Sequence, residues 1–235
     1  MNRTSLGPAR RLSIHSRIKS EDRLGSTADP WRQMMTNEAN PKPPNHPGLD
    51  GLAQAAAQAK TRGLPSIHQW NPRHCGDIGL KIGRDGVWSY QGSPIGRAAM
   101  VRLFSTILRR DPEGHVLVTP VEKVSVEVED APFLAVEMQV EGAGEARALH
   151  LRTNVDDWVS VDAAHPLRFE PGPSGGLKPY VRVRDDLWAL VARPVFYDLA
   201  ALGEVREIVG REMFGIACGG TFFPMSPADA LEDLA

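Results

Sequence analysis

RDGVWSYQGSPI at residues 84–95 returns as RDDLWALVARPV at residues 184–195, offset by 100 positions without a gap. Arg84/Arg184, Asp85/Asp185, Trp88/Trp188 and Pro94/Pro194 coincide, and Val87/Leu187 and Ile95/Val195 are conservative. Each copy reads as a charged turn, a short Trp-bearing strand and a proline at the first turn of a helix. A unit present twice predicts two similar half-domains, and their seam is the first place to look for a ligand.

Working outward, Ile78–Ile82 and Val87–Gln91 read as strands joined by GRDG. Ser93 and Pro94 supply an N-cap and first helical residue, and the apolar face from Ile95 to Leu108 predicts one helix ended by Asp111-Pro112. Val124, Val126 and Val128 alternate with polar residues, as do Leu134, Val136, Met138 and Val140, which predicts two half-buried strands. The loop at 141–145 then leads to a strand over 148–153. After PGPSGG (171–176), the second copy predicts strands 180–183 and 187–191 and a helix from Pro194. Upstream, residues 1–47 read as a disordered tail and Pro-rich linker, or as sequence ahead of a start at Met34 or Met35. Residues 48–63 read as an Ala-rich docking helix. The predicted fold is α+β: two tandem duplicated domains, residues 64–145 and 146–235, with mostly antiparallel sheets and one helix each.

Composition narrows the function classes. The 235 residues carry a formal net charge of −2, so the whole chain makes no electrostatic case for nucleic acid. The charge is uneven: residues 1–35 are net +4 and the remainder net −6. No apolar run reaches the roughly 18–20 residues that span a bilayer, and the start lacks the apolar core of a secretory signal. Two cysteines, Cys75 and Cys218, build no disulfide framework, and a reducing cytoplasm is the simplest compartment.

GSPIGRAAMVRLFSTILRR, TPVEKVSVEVEDAPF, NVDDWVSVDAAHPLRFE and RDDLWALVARPVFYDL together resemble the bacterial domain of unknown function 1285 family from about residue 64 onward. The resemblance implies a duplication of two α+β domains, the second superficially like a pleckstrin-homology domain. It also implies a small, nucleotide-like ligand at the domain interface and a part in signal transduction.

No catalytic set emerges from the residues. Asp156, Asp157, Asp162 and His165 offer metal-ligand chemistry, but neighbouring side chains on an extended chain point apart, and capped turns explain them better. His74-Cys75 lacks a base held at hydrogen-bond distance, and a buried structural thiol is the better reading. A hydrolase would need His74 or His165 to meet Cys75 or a carboxylate in a cleft. No glycine-rich phosphate loop is present, so any bound phosphate falls to guanidinium groups. Ordinary surface charges compete with that role for each arginine taken singly. The expected ligand-binding set is Arg97, Arg168 and Arg184 against Trp158, with Asp157 and His165 orienting a small anionic ligand that carries a flat ring. No cofactor is identified, and no metal, nucleic-acid or membrane partner is expected. A protein-interaction adaptor built on the C-terminal domain is the competing reading.

Overall fold

The computed structural model describes residues 48–59, 64–172 and 176–232. The tail and linker read over 1–47 lie outside them, as do residues 60–63 of the docking helix and residues 173–175. That helix, α1 (Leu49–Ala59), buries Leu52 and Ala56. Small alanines let it lie close against α2 (Ala98–Thr106).

The first half is one six-stranded sheet. β1 (His74–Ile82), β2 (Trp88–Tyr90) and β3 (Ser93–Pro94) form one meander. β4 (Leu108–Asp111), β5 (Gly114–Val118) and β6 (Lys123–Val128) form another. Parallel pairing of β1 with β6 joins them, giving the order β3-β2-β1-β6-β5-β4. Alternation sets the faces: Ile78, Leu80 and Ile82 of β1 and Val124 and Val126 of β6 are buried, while Lys81 and Glu127 meet outside at 3.1 Å.

The second half repeats this plan. β7 (Phe133–Glu141), β8 (Ala148–Thr153) and β9 (Trp158–Ser160) form a meander, as do β10 (Leu167–Pro171), β11 (Leu177–Arg184) and β12 (Leu187–Val191). β7 runs parallel to β12, and the order β9-β8-β7-β12-β11-β10 matches the first sheet strand for strand. The chain is therefore a tandem duplication of two α+β domains. One longer helix accompanies each: α2 joins the third and fourth strands of the first, and α3 (Arg193–Ala200) follows the last strand of the second. The second domain, a largely antiparallel sheet ending in a helix, is superficially pleckstrin-homology-like. β13 (Glu204–Ile208), β14 (Arg211–Cys218) and β15 (Thr221–Pro227) add a three-stranded sheet before the short α4 (Asp229–Glu232).

The 100-residue echo marks something other than this duplication. Its copies fall on the β1–β2 and β11–β12 hairpins, which hold different places in the two sheets. They share local geometry: Ile82 faces Trp88 as Arg182 faces Trp188, and Leu80 faces Tyr90 as Tyr180 faces Leu190. They part afterwards. Pro94 does not open a helix but pairs with Ser89 in β3, and the helix begins at Ala98, whereas Pro194 does sit in the first turn of α3. The helix also stops at Thr106, and Leu108–Asp111 turns into β4.

Two further readings need correction. The strand at 133–141, assigned to the first domain by a boundary at 145, belongs to the second sheet. β6 already has neighbours on both edges, so β7 has no place beside it. In β7 Phe133 and Ala135 point inward and Val136 outward, one residue out of phase with the expected face, and the pairing with β8 slips beyond Ala135.

A charged cluster fixes the N-terminal approach to the first sheet. Arg109 grips Asp111 through Nε at 2.6 Å and Nη2 at 3.1 Å, and its Nη1 donates to the carbonyls of Ile67 and Trp70. Lys123 reaches the same carboxylate at 2.9 Å. The Arg109 hydrogen bonds, aided by Lys123 and opposed by burial, hold the Asp111 carboxyl down to about 2. Truncating one member of such a cluster strands the others, at a cost of about 3 kcal/mol. Asp111→Asn is expected to lower stability in urea by roughly that amount at pH 6. Because the folded-state value lies below the ordinary one, the stabilisation is complete above the ordinary 3.8 and fades as pH falls through about 2. The gap between wild type and variant should therefore close on acidification over that window; a gap constant with pH would show that the charge is not what matters.

Candidate functional site

The second sheet turns a polar face toward the first domain. Register explains its composition: Arg168 on β10 lies opposite Tyr180 on β11, and Arg182 on β11 lies opposite Trp188 on β12. The Arg168 guanidinium sits 4.2 Å from the centre of the Trp188 ring and 5.2 Å from that of Tyr180. Cation–π attraction to both rings holds it in one place, and Glu170 takes its Nε at 3.0 Å. Facing this group, the β4–β5 hairpin of the first domain presents Arg110 and His115. Together with Asp130, Pro132 and Asp186 these side chains enclose a cavity of about 270 Å³ at the seam.

Its electrostatics follow from those neighbours. Arg110 has donors alone, so it donates to Nδ1 of His115, 3.1 Å away, and the neutral ring then carries its proton on Nε2. Burial and the Arg110 charge push the His115 imidazole down to about 4, so it is neutral at physiological pH. Asp130, with its side chain 7% exposed, accepts from Tyr180 at 2.7 Å and from Lys178. Burial works against ionising Asp130, yet those two bonds prevail and keep its carboxyl below the usual range. Trp188 donates its indole N–H to Asp186 at 3.2 Å. The cavity therefore offers the guanidiniums of Arg110 and Arg168, a neutral imidazole and aromatic walls, beside three carboxylates that are each already engaged: Glu170 by Arg168, Asp130 by Lys178 and Tyr180, and Asp186 by the Trp188 N–H.

Of the six expected site residues, Arg168 lines this cavity. The other five lie elsewhere. Arg97 precedes α2 and pairs with Asp50 of α1 at 2.8 Å on an exposed surface. Trp158 stands 46% exposed on β9, at the opposite edge of the sheet from Arg168. His165 closes a turn with Asp162 at 3.2 Å, where the carboxylate also caps two backbone N–H groups. Asp157 and Arg184 do meet, at 3.0 Å, as part of the tie between domains. There Arg184 also donates to the carbonyl of Ser105 in α2 and lies 5.1 Å from the centre of the Phe133 ring. Beside it Arg102 of α2 pairs with Asp156, whose carboxyl is lowered by Arg102 and Arg152.

Asn154 completes the tie, donating to the Gly86 carbonyl at 3.0 Å and accepting from the Leu134 N–H at 3.1 Å. Gly86 has φ +76°, and a Cβ there would fall 2.7 Å from the Asn154 amide nitrogen. The β1–β2 turn thus sits against the second domain because this residue has no side chain.

Arg110, His115, Tyr180 and Trp188 escaped the sequence reading. A helix running to Asp111 would carry Arg109 and Arg110 at its end, whereas both lie on β4. Trp188 carried a signal, its place in the echo, but nothing in the spacing marks it as lining a cavity. Of the hydrolase candidates, Cys75 Sγ lies 3.6 Å from the Arg73 carbonyl and His74 pairs with Ser125 at 3.0 Å, whereas His165 does meet a carboxylate, Asp162, but in its own turn and not in the seam cavity. Among the described residues no group of three His, Cys, Asp or Glu is placed to hold a metal. No described helix is long and apolar enough to cross a membrane.

The interdomain tie makes a prediction. Arg184→Lys keeps the charge but cannot reach both Asp157 and the Ser105 carbonyl, and should cost about 1–3 kcal/mol in urea unfolding. Arg97→Gln, which breaks an exposed pair, should cost under about 1 kcal/mol. Equal losses would remove Arg184 from this role.

Comparison with known proteins agrees with the two-domain description. The family model "Domain of unknown function (DUF1285), N-terminal domain" matches residues 65–131, and "Protein of unknown function (DUF1285), C-terminal domain" matches residues 132–225. Their junction falls where the two sheets part. The crystal structure of a DUF1285 family protein from Silicibacter pomeroyi DSS-3 is 44% identical, with a TM-score of 0.73 over 80% of this chain and 99% of that one. A DUF1285 family protein from Shewanella baltica OS155 is 27% identical, with a TM-score of 0.44 over 53% of this chain and 91% of that one. No curated protein matches. With both domain models covering most of its length and a near-complete counterpart at this identity, the chain belongs to the DUF1285 family.

Proposed function

We propose that the protein is a non-catalytic receptor for a small anion bearing a flat ring, bound between its two domains and serving signal transduction in the cytoplasm. The observation that carries this reading is the seam cavity, to which one domain brings Arg110 and His115 and the other Arg168, Tyr180 and Trp188. A guanidinium already held against two aromatic rings, as Arg168 is, loses little freedom on meeting an anion. The indole and phenol offer apolar surface to a ring, and a nucleotide-like molecule is one member of that class. A site built from two domains also gives occupancy a route to the rest of the molecule, through their relative stability.

A second reading has its own support. Val205, Ile208 and Val209 are exposed on the β13–β14 hairpin, and Val209 is held at φ +49°, an unfavourable backbone for a β-branched residue. An adaptor would use this hairpin against a protein partner. Co-purification of a stoichiometric partner that is released by Val205→Ser with Val209→Ser supports that reading; equal recovery with the variant removes it.

The receptor reading is tested by thermal unfolding with a panel of nucleoside phosphates and aromatic carboxylates. A molecule that binds the folded form raises the unfolding temperature with the logarithm of its excess over Kd. At least one member should do so, and Arg168→Gln and Trp188→Leu should each reduce its affinity about tenfold or more. Trp158→Leu should leave it unchanged. An unresponsive panel, or a response indifferent to Arg168 and Trp188, would overturn the assignment.

A further inference from the structure

A second, larger hollow of about 690 Å³ lies on the other side of the Asp130–Lys178 pair. Lys178 lines this hollow, whereas Asp130 and Tyr180 line the seam cavity, so the pair forms part of the wall between them. Its volume is within the range of small-molecule sites, about 300–1,000 Å³. The bed is apolar: Leu134, Leu177, Pro179, Leu190 and Phe196 contribute to it.

Its charged groups come from separate elements. Arg84 arrives on the β1–β2 turn, which Asn154 pins to the second domain through the carbonyl of Gly86. Arg193 comes from the first residue of α3, where its Nε donates to Tyr197 Oη at 2.9 Å and its guanidinium lies 5.6 Å from the centre of that ring. Neither guanidinium makes an ion pair among the described residues, although both line an apolar hollow. The backbone N–H of Arg84, not its side chain, binds Glu129 at 3.1 Å. Lys178 is neutralised by Asp130, and the remaining acid, Asp85, is engaged by the Val87 N–H at 3.0 Å. The balance at the rim is positive.

We propose that this hollow is a binding site for an amphipathic anion, a molecule with an aliphatic body and a carboxylate or phosphate head. The body lies along Leu134, Leu190 and Phe196, and the head meets Arg84 and Arg193. The charge selects the head, and the apolar bed selects chain length. Each methylene removed from water is worth up to about fourfold in affinity. The site is separate from the seam cavity and does not depend on what binds there.

The test uses butanoate, hexanoate and octanoate by titration calorimetry on the full chain, with 1-octanol as the uncharged twin. Affinity should rise with length, two- to fourfold per methylene, and octanoate should bind at least tenfold more tightly than 1-octanol. Arg84→Gln and Arg193→Gln should each weaken octanoate about fivefold or more while leaving the unfolding temperature of the free protein close to wild type. Arg168→Gln and Trp188→Leu should leave octanoate binding intact, which separates this site from the seam. Overturning results are no binding of octanoate, equal binding of octanoate and octanol, indifference to both rim arginines, or loss of binding with Arg168→Gln instead. Head-group source is read by adding octyl phosphate and vesicles of anionic lipid. Uptake of the soluble anions supports the proposal, and binding of vesicles without the monomers contradicts it.

Discussion

Parallel pairing of a first strand with a sixth closes each half of this molecule, and the remaining architecture depends on it. β1 is separated in sequence from β6 by the other four strands of its sheet, and the same holds for β7 and β12. Such non-local contacts are entropically expensive and must be repaid by burial. The repayment is visible in the buried Ile82, Leu80, Val126, Ala189 and Val191, which flank the two closures. At the seam the second sheet brings arginine, carboxylate and the half-buried Trp188 from the face opposite its buried Val181 and Ala189, to meet Arg110 and His115, which lie in register with buried Val126 and Leu80 of the first sheet.

That polar character explains why hollows survive at the seam. Two apolar faces would collapse together, because a dry void forfeits dispersion energy on its lining. Here Asp130 with Lys178 and Tyr180, Arg184 with the Ser105 carbonyl, and Arg102 with Asp156 hold the domains through directional bonds. Directional bonds fix spacing as well as contact. Arg168 is held beside the rings of Trp188 and Tyr180 in the same way.

The sequence made the fold class and the duplication legible, though by way of a misleading witness. Alternation in Val124, Val126 and Val128 correctly marks a half-buried strand, because only local pleat and burial matter there. The echo of RDGVWSYQ in RDDLWALV reflects a shared hairpin register, a local property, while the true repeat lies in strand order, which no local pattern encodes. The candidate site was less legible for the same reason. Arg168 was within reach of sequence reasoning because it is a cation in a strand, but its partners Arg110 and His115 are more than fifty residues away and come into register through domain docking. Arg97, Asp157, Trp158 and His165 looked equally suitable in one dimension and are explained by ordinary pairs, turns and an exposed edge.

The closure also governs the order in which a ribosome can complete the molecule. In each half the strand that must lie against the first is the sixth to be translated. Until it emerges, the nascent chain holds β1, and later β7, with one side of its backbone amides unsatisfied. A pause or truncation just short of β12 therefore leaves an open template at the centre of a sheet rather than at its rim, the form most apt to recruit another unfinished copy.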